Sequence, residues 1–157
     1  TPAGPETIGC AARFDELIQR LDDGRLNVVV MGVEPVEIIE ETEGNLYFSA
    51  TVRELVDDTT VTPDPAICAD VVARFRGLAE RVTGTARDPE VIDAVPLSYA
   101  VAGAVEIPAD TKQQILASRD ENQRLLLVAR ALEVAARSIE RASVAAERAS
   151  TNGKVSH

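Results

Sequence analysis

Apolar and polar positions alternate through Ile8, Cys10, Ala12 and Phe14, as one face of a strand requires, so residues 8–20 are read as a first strand. Leu17, Ile18 and Leu21 disturb that alternation. Asp22-Asp23-Gly24 follows as a tight turn, because Gly tolerates positive φ and Asp can hydrogen-bond its own turn backbone. The β-branched run at 25–31 reads as a second strand. Gly32 interrupts it, and Pro35 restricts pairing to an edge, a strand start or a bulge before a third strand to about Glu41. After the turn at Glu43-Gly44-Asn45, residues 46–56 alternate again and predict a fourth strand. Four strands on short turns form an antiparallel meander.

Beyond residue 62 the punctuation changes to that of helices. Asp64-Pro65 and Asp88-Pro89 each set an N-cap Asp before a Pro at the first helical position. The first predicts a helix to about Val82, with Ile67, Val71, Val72, Phe75 and Leu78 on one face; the second predicts a short helix ended by Pro96. Residues 97–105 make a third, apolar helix, and Pro108-Ala109-Asp110 opens a fourth through Leu116. Ser118 with Glu121 fits a capping box for a long helix over about 119–149, roughly 45 Å at about 1.5 Å per residue. Leu125, Val128, Leu132, Ala135, Ile139, Ala142 and Ala146 form a continuous seam along it. Two readings of the seam stand. Its first half packs on the other helices while its second half projects, or the helix pairs with another copy, with Leu132, Ile139 and Ala142 as candidate self-association residues. Residues 150–157 read as a disordered tail.

The fold class expected is therefore α+β: an antiparallel β subdomain over 1–62, then an α-helical bundle over 63–149 with a long C-terminal helix. Charge supports this division. Residues 1–62 hold 13 acidic against 4 basic side chains, while residues 63–157 hold 13 against 12. The net charge of -10 repels phosphate backbones, so nucleic acid is not an expected partner. No apolar run approaches a membrane span, and two distant cysteines, Cys10 and Cys68, make neither a disulfide framework nor a metal site, which suits the cytoplasm.

The catalytic inventory is thin. The one His is His157, in the tail, so a Ser-His or Cys-His nucleophile has no base. Gly153-Lys154 lacks the rest of a phosphate-cradling loop, and Lys112 stands in a polar run unsuited to a Ser-Lys dyad. Glu37, Glu40, Glu41 and Glu43 surround a hairpin and read as solvated turn acids, without oxygen-ligand spacing for a cation. No catalytic residue, metal ligand or cofactor is expected.

The succession LDDGRLNVVVMGVEPVEIIEETEGNLYFSATVRELVDD at 21–58 resembles the Lon protease N-terminal, substrate-binding domain. There, a DG turn, an apolar strand, a Gly, a short strand and a strand ending in "A-x-V-x-x-L" follow in the same order. Residues 107–135 are similar to that family's helical segment, with Lys-Gln before "IL" and Arg-Leu opening the long helix. The family usually begins with a Phe-Pro-Leu strand and a Phe-Glu-Pro-Arg-Tyr segment, neither present here, so the chain reads as a truncated or a reduced relative. It also tends to carry Arg after the strand-ending Gly, where Gly32-Val33-Glu34-Pro35 stands.

The resemblance implies a PUA-like pseudo-barrel followed by a helical bundle, with roles in recognising protein substrates and in self-association. It implies no catalysis, because the family's ATPase and Ser-Lys peptidase parts belong to other domains. The expected partner is an unfolded or exposed polypeptide segment, or a second copy of the chain. A strand edge or an apolar groove is the physical candidate for docking. Val36, Ile38, Leu46, Phe48 and Tyr99 are the candidate lining residues, with plain core positions as the other reading. A small-molecule site in the β subdomain is a further alternative.

Overall fold

A computed structural model describes residues 6–44, 46–90 and 95–152. The chain divides into two compact units, Thr1–Asp57 and Asp58–His157. Antiparallel strands precede the helices, so the class is α+β as expected.

In the first unit the described strands are β1 (Ile8–Arg20), β2 (Leu26–Thr42) and β3 (Ser49–Glu54), in the sheet order β1-β2-β3. The β1–β2 turn is the Asp-Asp-Gly turn. Gly24 sits at φ 87°, and the Asp23 carboxylate accepts from the Arg25 backbone N–H at 3.1 Å and from its Nε at 2.8 Å. The expected second and third strands prove to be one 17-residue strand. Its irregularity is absorbed by a bulge: Ala11 pairs with Glu34 and Ala12 with Gly32, leaving Val33 extra. Gly32 stays in the strand, paired with Ala12, and a side chain there would be crowded, since a Cβ would stand 3.1 Å from Cys10 Sγ. Pro35 is tolerated beside this bulge, and its carbonyl accepts from Leu55 at 2.9 Å where the β3 ladder ends.

A second bulge explains the broken alternation of β1. Phe14 pairs with Val30 and Glu16 with Val29, so Asp15 is extra and Leu17 comes opposite Val28. Phe14, Leu17, Val28 and Val30 thereby share one face despite their spacing in sequence. The expected fourth strand is shorter than its pattern: it starts at Ser49, and Leu46, Tyr47 and Phe48 precede it. Val36 alone is buried among the described residues of this unit.

The second unit contains α1 (Pro65–Thr83), α2 (Leu97–Ala104), α3 (Ala109–Ala117) and α4 (Glu121–Asn152). Helix α1 begins as its sequence requires. Asp64 Oδ1 accepts from Ala66 N–H at 2.8 Å, Pro65 occupies the first turn, and Gly84 closes the C-terminus at φ 75°. The helix expected after Asp88 is absent from residues 88–90, and the rest of that expectation, 91–94, lies outside the described residues. Asp88 forms an ion pair with Arg76 at 2.6 Å.

The capping box is also revised. Asp120, not Ser118, caps α4, accepting from Asn122 N–H at 2.8 Å, while Glu121 turns to another helix. Val71, Phe75 and Leu78 of α1, Val101 of α2 and Ile115 of α3 enclose Leu125, Val128 and Leu132 of α4 in a buried core. Helix α4 continues through 150–152; the remainder of the expected tail, 153–157, including His157, lies outside the described residues.

Candidate functional site

The chemistry-bearing feature of the β unit is the connection between β2 and β3. There Ile38, Leu46, Tyr47 and Phe48, with Glu41 and Glu43, line an open groove of about 680 Å³. Leu46 and Phe48 are fully exposed and Tyr47 is 71% exposed. Three consecutive large apolar side chains in water are unfavourable, since each forgoes about 1.5–3 kcal/mol available on burial. The local sequence holds them there. Gly44 takes φ 92°, which turns the chain out of β2, and pairing with β2 resumes only at Ser49 opposite Thr42.

Of the candidate lining residues, Ile38, Leu46 and Phe48 meet in this groove. Val36 is buried in the sheet, paired with Gly9 and Glu54. Tyr99 belongs to the helical unit, where its ring faces the Arg124 guanidinium at 4.7 Å. Tyr47, Glu41 and Glu43 were not among the candidates. Strict alternation over 46–56 would send Tyr47 to the face opposite its neighbours, and nothing local signals that the strand begins after Phe48.

The candidate self-association residues divide along α4. Leu132 is 1% exposed within the helical core, Ile139 packs half-buried at its edge, and Ala142 is exposed. Ile139 also lines a cavity of about 480 Å³ with Phe75, Leu78, Val82 and Arg87.

A polar cluster at the start of α4 organises the helical unit. Glu121 accepts from the Ser98 backbone N–H at 3.0 Å and its hydroxyl at 2.6 Å, so a carboxylate from α4 caps the N-terminus of α2. Arg124 then donates to Glu121 at 2.8 Å, to Ser98 Oγ at 3.1 Å and to the Ser118 carbonyl at 3.0 Å. Asn122 ties a third helix to the same point: its Oδ1 accepts from Asp64 N–H at 2.7 Å and its Nδ2 donates to the Thr62 carbonyl.

Among the described residues no group of three or more His, Cys, Asp or Glu side chains is placed to hold a metal ion, and no helix is long and apolar enough to cross a membrane. Cys68 is half-buried on α1, where burial first, then the Glu121 and Asp64 carboxylates, pushes its thiol pKa up. Cys10 is exposed. Alkylation with iodoacetamide at pH 8 is therefore expected to label Cys10 first, followed by peptide mass mapping; faster labelling of Cys68 would contradict its surroundings.

With this geometry described, the chain can be placed among known proteins. It is matched over residues 6–134 by the model of the ATP-dependent protease La (Lon) substrate-binding domain, and it belongs to that family. Lon protease of Paraburkholderia phytofirmans is 30% identical over 128 residues, covering 76% of this chain and 16% of that protein. Lon protease of Geobacter metallireducens is 27% identical over 137 residues, covering 80% of this chain and 16% of that protein. That of Anaeromyxobacter dehalogenans is 26% identical over 135 residues, with the same coverage. The chain thus spans 16% of the length of these relatives, and the part it matches is the substrate-binding domain. This is the family that residues 21–58 and 107–135 resemble.

Proposed function

We propose that this chain is a cytoplasmic, non-catalytic module that recognises exposed apolar stretches of polypeptide, in the service of proteolysis, and that the groove beside β3 is where it does so. One observation carries the reading: Leu46, Tyr47 and Phe48 stand in water around a groove next to a strand paired, among the described residues, on one side only. An extended segment laid there covers the apolar cluster and can add main-chain hydrogen bonds along the edge of β3 opposite β2. The family's designation as substrate-binding supports the same reading. The net charge of -10 argues against nucleic acid as the ligand.

The test is fluorescence anisotropy with a labelled, permanently unfolded polypeptide. The double substitution Leu46→Ser/Phe48→Ser is expected to weaken binding at least about tenfold, since burying two such side chains is worth more than the 1.4 kcal/mol of one decade. Both side chains are exposed, so the circular dichroism spectrum should not change. Wild-type affinity in the double variant would remove the groove from the reading.

Self-association through α4 is the second reading. It is favoured by the roughly 20 Å of helix that extends past Ile139 at about 1.5 Å per residue, all of whose described side chains are exposed. Sedimentation equilibrium of wild type and Ile139→Glu decides it. A monomer in both disposes of pairing, and a dimer lost in the variant supports it.

A further inference from the structure

We infer that the segments selected by the β2–β3 groove combine large apolar side chains with flanking Arg or Lys, a selectivity that rests on the polypeptide-binding reading above and specifies its substrate class. The argument is one of charge around an apolar surface. Glu41 and Glu43 line the groove, and Glu40 lies one position before Glu41 on β2. None of the three has an ion-pair partner among the described residues. Of the four arginines of the unit, Arg53 pairs with Glu37, Arg25 pairs with Asp23 at 2.8 Å, Arg13 meets Met31 Sδ at 3.8 Å, and Arg20 stands opposite Leu26, at the other end of β2 from Glu41. The apolar cluster is therefore rimmed by carboxylates without an ion-pair partner among the described residues. A neutral segment covering the groove partly desolvates these carboxylates and returns nothing to them, and an acidic one is repelled. An Arg or Lys beside the apolar anchor pairs with the rim, lays its aliphatic stem over Leu46 or Phe48, and can reach the face of the exposed Tyr47 ring.

Three labelled peptides with one common Leu- and Phe-containing core test this, flanked by Arg, by Ser or by Glu, titrated against wild type and Glu41→Gln/Glu43→Gln. Exposed ion pairs are individually weak, so the Arg-flanked peptide is expected to bind about fivefold more tightly than the Ser-flanked one, and the Glu-flanked one more weakly than both. The spread should shrink when ionic strength rises from about 0.05 M to about 0.5 M. In the Gln variant the preference for the Arg over the Ser peptide should shrink to the small part that Glu40 supplies, and the Ser peptide should bind at least as tightly as it does to wild type. Equal binding of all three to wild type, or an Arg preference unchanged in the Gln variant, overturns the charge selectivity and leaves polypeptide binding standing. Absence of binding by all three overturns the polypeptide reading as well, so the two failures are distinguishable.

Discussion

Replacing Arg124 with Met is expected to destabilise the helical unit by about 3 kcal/mol or more, the cost typical of removing one partner from a buried ion pair. The Arg124 side chain is 1% exposed and its partner Glu121 is 11% exposed, so solvent does little to screen either. Without the guanidinium, Glu121 keeps its two bonds to Ser98 but carries an uncompensated charge out of water, the Ser118 carbonyl loses its donor, and the Tyr99 face loses its cation. Urea unfolding followed at 222 nm measures the effect, which in a unit of this size corresponds to a drop in melting temperature of more than about 10 °C. The double variant Glu121→Met/Arg124→Met should recover much of the loss, because removing both charges removes the unpaired one. A single variant within about 0.5 kcal/mol of wild type would mean that the cluster is not a structural hub, since changes that small are typical of surface positions. Tyr99→Phe supplies the contrast. Its phenol oxygen is buried without a hydrogen-bond partner among the described residues, so losing it should leave stability unchanged or raise it.

That cluster also marks the limit of what the chain discloses before it is folded. Asp64-Pro65 and Gly24 act through neighbours within a few residues, and each appears in the structure as its local pattern requires, whereas the seam of α4 is buried only where α1, α2 and α3 cover it. Ser118 and Glu121 look equally local, yet Glu121 is drawn to Ser98, 23 residues away, and Asp120 takes over the cap. Asp88 is diverted in the same way by Arg76. In the sheet, Val33 and Asp15 are bulged because of what the partner strand offers, and a bulge moves the alternation by one residue without any signal in the bulged strand itself. This is why Gly32 looked like a strand end and Leu17 like a misfit.

The groove shows the same division. Leu46 and Phe48 were legible as apolar candidates, and Glu41 and Glu43 as turn acids. Their meeting with Tyr47 depends on β3 beginning at Ser49, which only the pairing with β2 decides. The helical unit adds a complementary point. Tyr99, a candidate lining residue by sequence, faces Arg124, so its ring serves as a structural partner for a buried cation in the helical unit.

Leu132→Ala is expected to cost about 3 kcal/mol, within the range for truncating a buried Leu, and the cost should be the same at two protein concentrations about 100-fold apart. The reasoning turns on how the α4 seam is used. Its spacing of three and four residues is that of a helix pairing with another helix, and the spacing is the same at Leu132 as at Ala142. The surroundings are not the same. Leu132 lies in the cluster with Val71, Phe75 and Leu78, whereas Ala142 is outside that cluster and is exposed. A side chain with 1% of its surface accessible has nothing left to offer a second copy, so its truncation must act on the folding of one chain. Urea midpoints measured at both concentrations separate the alternatives. A cost that grows with protein concentration would place Leu132 at an interface between copies, and a cost under about 1 kcal/mol would contradict its burial, because cavities left by Leu in a packed core are not that cheap.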